Sequence, residues 1–87
     1  MVEAVNFKED ERVTLRFIHP TTLEESHMWA ECNPMTGHWL RHEVVGDKDG
    51  WYYSDKTGVK SLIKAILEKN GSLGLKTEVT VSPRGRY

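Results

Sequence analysis

One cysteine in 87 residues leaves no intramolecular disulfide to staple the chain. There is no excess of charge either: 12 Lys and Arg stand against 13 Asp and Glu, for a formal charge of −1. That balance excludes a disordered acidic or basic tail. No apolar run approaches the ~20 residues that a membrane-spanning helix needs. The opening Met1-Val2-Glu3-Ala4-Val5 lacks the basic n-region and long apolar stretch of a signal peptide. A soluble, cytoplasmic chain with no membrane partner is therefore expected. Glycine-rich phosphate loops, paired-carboxylate signatures and G-x-S-x-G turns are also missing. Their absence leans away from catalysis, and no cofactor is expected.

What is present suits one small domain. Three Trp, three Tyr and two Phe supply much of its core, since each large ring can bury ~150–250 Å². Residues 1–11 have no clear period and read as an arm, with Val5 and Phe7 candidates to tuck against the domain. The domain spans 12–82, and 83–87 forms a basic tail ending in Arg84-Gly85-Arg86-Tyr87.

From Arg12 the pattern becomes strict. Val13, Leu15 and Phe17 alternate with Arg12, Thr14 and Arg16, the signature of a half-buried strand that Pro20 ends. Thr21 and Thr22 each precede a Glu by three residues, two overlapping capping boxes, so a helix is expected to run to Cys32 before Asn33-Pro34. His38 to Val45 reads as a strand. Gly46-Asp47-Lys48-Asp49-Gly50 reads as a hairpin loop of about five residues leading to Trp51-Tyr52-Tyr53. Val59, Leu62, Ile63, Ile66 and Leu67 form a full helical stripe, capped at Asp55 or Thr57 and ended by Asn70-Gly71. Leu75, Thr77, Val79 and Val81 alternate with Lys76, Glu78 and Thr80 as a final strand.

Strand, helix, strand, strand, helix, strand is the α+β ferredoxin-like βαββαβ order, four antiparallel strands with both helices on one face. The other face would be open to a ligand. Residues two apart share a face, so Trp51 and Tyr53 point together, and Arg12, Thr14 and Arg16 line the outer face of the first strand. Flat rings beside guanidinium groups make a stacking platform for single-stranded nucleic acid. Trp51 and Tyr53 are the candidate stacking residues; Arg16, Arg84 and Arg86 are the candidate phosphate ligands. Lys56, Lys60 and Lys64 add local positive charge in the C-terminal third.

Across residues 12 to 82 the chain resembles the RNA-recognition motif. Gly50-Trp51-Tyr52-Tyr53 is similar to the glycine-aromatic start of that family's third-strand motif. Lys64-Ala65-Ile66 and Asn70-Gly71 fall where its second helix commonly has them. The resemblance implies the βαββαβ fold and RNA binding on the sheet. The sequence departs from the pattern at Asp49, Ser54 and Lys56. Arg16 stands where the family usually places an exposed ring.

Other constellations compete. His27, Cys32, His38 and His42 have zinc-ligand chemistry. On a strand, however, His38 and His42 would stand ~13 Å apart, too far to share one ion; on a helix they would lie one turn apart. No metal is expected. Cys32 is a lone thiol, and Asp47-x-Asp49-Gly50 is turn chemistry rather than a calcium loop. The rival function is a protein partner or a homodimer, formed through an aromatic patch (Trp29, Trp39, Met28) or through a free sheet edge.

Overall fold

A computed structural model describes residues 5–85. It contains β1 (Glu11–Ile18), β2 (Glu25–Cys32), β3 (Trp39–Val45), β4 (Lys48–Ser54), α1 (Lys56–Ser72) and β5 (Glu78–Pro83). All pairings are antiparallel, and the sheet order is β4-β3-β2-β1-β5. Four strands form a meander. α1 then spans the sheet from one edge to the other and delivers β5 beside β1. This is an α+β domain with five strands and one helix. The expected βαββαβ order, four strands with two helices, is not what the chain adopts, and neither is the topology implied by the resemblance.

The difference lies in residues 21–32. Ser26, Met28, Ala30 and Cys32 are all buried, while Glu25 is exposed and His27 and Trp29 are half-exposed. That is a period of two, and it fits a central strand better than the ragged helical stripe through Leu23, His27 and Ala30. The two capping boxes serve a turn instead. His19 Nδ1 accepts the N–H groups of Thr21 and Thr22 at 3.2 Å each. Leu23 takes a left-handed φ of 61°, and the His19 N–H donates to the Glu24 carbonyl at 2.8 Å. Thr22 Oγ1 accepts the Glu24 N–H at 3.4 Å, so its hydroxyl serves a turn here rather than a helix cap.

The loop after β3 is also shorter than expected. Val45 pairs with Lys48, so Gly46 and Asp47 alone make the turn, with Gly46 at φ 61°. α1 starts at the expected cap, where Asp55 Oδ1 accepts the Gly58 N–H at 2.7 Å. It does not end at Asn70-Gly71. Asn70 is buried and donates from Nδ2 to Thr77 Oγ1 at 2.9 Å, and the helix continues to Ser72. The left-handed residue is Gly74, at φ 72°. The Leu75 N–H donates to the Asn70 carbonyl and the Gly74 N–H to the Gly71 carbonyl, the two bonds of a Schellman motif.

The core lies between the sheet and α1. Val13 and Leu15 of β1, Met28, Ala30 and Cys32 of β2, and Trp39 of β3 meet Val59 and Ile63 of α1. Phe7, from the segment before β1, closes one end, its ring edge-on to Trp39 at 5.3 Å. Met28 and Trp39 are thus core residues and cannot form the surface patch with Trp29. Among the described residues no helix is long and apolar enough to cross a membrane.

Candidate ligand-binding face

α1 covers one face of the sheet and leaves the other without a second layer. Cross-strand register assigns the uncovered face: Arg12, Thr14 and Arg16 of β1; His27, Trp29 and Glu31 of β2; Leu40, His42 and Val44 of β3; Asp49, Trp51 and Tyr53 of β4. β5 adds Glu78, Thr80 and Ser82. Trp51 is 56% exposed and Tyr53 77%. Both rings stand on the helix-free face, two residues apart on an edge strand, with Cα atoms ~7 Å apart. Tyr52 points to the opposite face, where the Arg41 guanidinium lies 4.8 Å from its ring centre.

The rings form a connected row. His42 lies directly across from Trp51, with ring centres 4.1 Å apart. Trp29 stands edge-on to Trp51 at 5.6 Å and also 5.6 Å from His42. The Arg12 guanidinium lies 4.2 Å from the Trp29 ring centre. Three rings and, at one end, a guanidinium thus form a row across four adjacent strands. His42 Nε2 is buried and lies 3.1 Å from Asp49 Oδ2, at an angle outside hydrogen-bond geometry.

Carboxylates hold the arginines in place. Arg12 Nε donates to Glu31 Oε2 at 2.9 Å, and the Gly85 N–H donates to the same oxygen at 3.1 Å. Glu31 is buried, so this charge-assisted pair is shielded from water. Arg16 pairs with Glu25 at 2.9 Å, but both side chains are mostly exposed, and such pairs contribute only ~0–1 kcal/mol.

The candidate residues do not all converge. Trp51 and Tyr53 are together. Arg16 is three strands away, ~14 Å at the usual interstrand spacing. Arg84 follows β5 at the far edge, where its Nη1 donates to the Glu9 carbonyl at 3.2 Å and its N–H to the Asp10 carbonyl. Arg86 lies outside the described residues. Lys56 and Lys60 lie on the helix side, each Nζ 6.0 Å from the Phe7 ring, and so do not charge the ring-bearing face. Trp29, His42 and Arg12 complete the row but are missing from the sequence-derived set. Reading 25–32 as a strand would have revealed them, because Trp29 then faces His42.

His27 and His42 share the open face, with ring centres 6.2 Å apart. Cys32 is buried on the other face, and His38 precedes β3 in an exposed turn. The four zinc-type residues are therefore split between faces. Among the described residues no three His, Cys, Asp or Glu side chains are grouped so as to hold a metal ion. No family model, characterised protein or solved structure gives a significant match to this chain.

Proposed function

We propose that the chain is a non-catalytic cytoplasmic binding module that takes single-stranded nucleic acid on its helix-free sheet face. One observation carries this reading: Trp51 and Tyr53 are bare rings on one face of one strand, spaced to take successive bases. Bases stack on aromatic side chains for ~1–3 kcal/mol each and need no sequence-specific contact. The run Gly50-Trp51-Tyr52-Tyr53, which resembles an RNA-recognition strand, is the segment that presents the rings. A nucleic-acid strand crossing the sheet from β4 toward β5 meets Trp51 and then the Trp29–Arg12 stack, with Arg16 toward one end of the sheet and Arg84 toward the other. The Arg16–Glu25 pair is weak enough to exchange its carboxylate for a phosphate.

The test is a tryptophan-fluorescence titration with short single-stranded RNA and DNA. Binding that weakens as salt rises, and that is lost in Trp51→Ala and reduced in Tyr53→Ala, supports the reading. Absence of binding to every oligonucleotide, or binding unaffected by both substitutions, overturns it.

A second reading assigns the face to a protein partner. One observation favours it: Glu25, Glu31, Asp49 and Glu78 outnumber Arg12 and Arg16 there, whereas phosphate contacts dominate nucleic-acid affinity. Association that is insensitive to salt distinguishes this reading from the first.

A further inference from the structure

The two-residue turn determines which way the backbone of β4 points. Gly46 and Asp47 form a hydrogen-bonded turn, so Val45 and Lys48 are a hydrogen-bonded pair. Antiparallel pairs alternate, so Glu43–Gly50, Arg41–Tyr52 and Trp39–Ser54 exchange the remaining bonds. Asp49, Trp51 and Tyr53 fall between them. Their N–H and C=O groups point away from β3, off the edge of the sheet. Carrying the alternation across the sheet predicts bonds at Asn33–His38 and Arg84–Asp10. Both are present: Asn33 N–H to the His38 carbonyl at 2.8 Å and Arg84 N–H to the Asp10 carbonyl at 3.0 Å.

The two edges are unequal. On β5 the outward residues are Val79, Val81 and Pro83, and proline has no N–H to offer. On β4 they are Asp49, Trp51 and Tyr53, with three donors and three acceptors in a row. β4 has no proline, and its register runs unbroken from Lys48 to Ser54. Among the described residues no strand pairs with its outer side. Such an edge is a template for another strand.

We propose that β4 pairs antiparallel with β4 of a second copy, about a two-fold axis through Trp51. This register sets outward residues opposite outward residues. Asp49 then faces Tyr53, Gly50 faces Tyr52 and Lys48 faces Ser54, so a carboxylate meets a phenol and no like charges oppose within β4. Sliding the register by two residues to centre it on Tyr52 sets Lys48 and Asp49 against the first residue of α1 and its cap, Lys56 and Asp55, so the ladder shortens from the whole of β4 to Gly50–Ser54. A formal charge of −1 per copy adds little long-range repulsion. The product is a ten-stranded sheet with the Trp51 and Tyr53 rings of both copies on one face. The pairing uses backbone groups and does not depend on what those rings bind.

The experiment is light scattering on the full chain across a concentration series, without oligonucleotide. The dimer mass is expected at high concentration. Asp49→Pro removes one outward N–H and no ladder bond, and is expected to give a folded monomer. In a Cys32→Ser background, Trp51→Cys is expected to cross-link to itself on mild oxidation, because hydrogen-bonded partners have Cα atoms ~5.5 Å apart, within disulfide reach. The Asp49, Trp51 and Tyr53 amides of the unmodified chain are expected to exchange more slowly as the dimer forms. A monomer at every concentration overturns the proposal, including one that instead captures an extended peptide at β4. A dimer that persists in folded Asp49→Pro overturns it as well. If Asp49→Pro does not fold, amide exchange in the unmodified chain decides: free exchange at those three positions in the dimer assigns the contact elsewhere.

Discussion

The Arg12 guanidinium lies 4.2 Å from the centre of the Trp29 ring while its Nε is held 2.9 Å from Glu31. One side chain thus joins the aromatic row to a buried carboxylate. Arg12→Met keeps an apolar stem over Trp29 but removes the charge that faces Glu31. A loss of ~1.5–3 kcal/mol is expected, the range for hydrogen bonds to charged groups. Urea unfolding measures it, and Glu31→Gln in the same background should recover part of it, because the buried group is then neutral.

The two exposed rings should separate binding from folding. Trp51→Ala and Tyr53→Ala remove side chains that leave the core intact, so urea midpoints are expected to shift little. Oligonucleotide affinity is expected to fall by ~1–3 kcal/mol for each ring that stacks a base. Met28→Ala should do the reverse. Met28 is buried on the helix side, and its truncation is expected to cost ~2–5 kcal/mol of stability. Once corrected for the unfolded fraction, its oligonucleotide affinity should be unchanged.

Two glycines three residues apart should respond oppositely to alanine. Gly71 lies within α1, and an added Cβ would meet nothing within 4 Å. Gly71→Ala is expected to stabilise by ~0.5–1 kcal/mol. Gly74 also has open space, but its φ is 72°. Gly74→Ala is expected to cost ~1–2 kcal/mol, since the left-handed region crowds Cβ against the following carbonyl. Thermal melts of the two variants give the comparison.

The helix cap can be tested by itself. Asp55→Ala leaves the Gly58 N–H without its side-chain acceptor. A loss of ~1 kcal/mol is expected, with Asp55→Asn close to the unmodified chain, because either side chain supplies the oxygen. Chemical denaturation followed by circular dichroism reads this directly.

β1 and α1 were legible because each has a single dominant period: alternation in Val13, Leu15 and Phe17, and a three-four stripe from Val59 to Leu67; β3 was placed as a strand although its two faces are mixed in character. β2 was not. Thr21 to Glu25 carries two capping patterns, and Met28 and Ala30 are good helix formers. The deciding alternation includes Ser26 and Cys32, whose burial only their neighbours' packing enforces. The same ambiguity hid most of the ring row. Trp51 and Tyr53 share a face by spacing alone, but Trp29 joins them only once 25–32 is extended and paired with β3. Arg16 was correctly placed on a strand whose distance from β4 only sheet order could give. The end of α1 moved from Gly71 to Gly74 because Asn70 is needed inside, bonded to Thr77.

Sheet order also bears on how the chain assembles. β1 to β4 are each joined to the next by a short turn, whereas β1 and β5 are separated along the chain by β2, β3, β4 and α1. Contacts between near neighbours form fast, and those that close long loops form slowly. During synthesis the meander can zip up while α1 and β5 are still inside the ribosome. Until they emerge, β1 is itself a raw margin, with Val13 and Leu15 uncovered beside it, so the nascent chain is most prone to aggregate just before its last strand arrives.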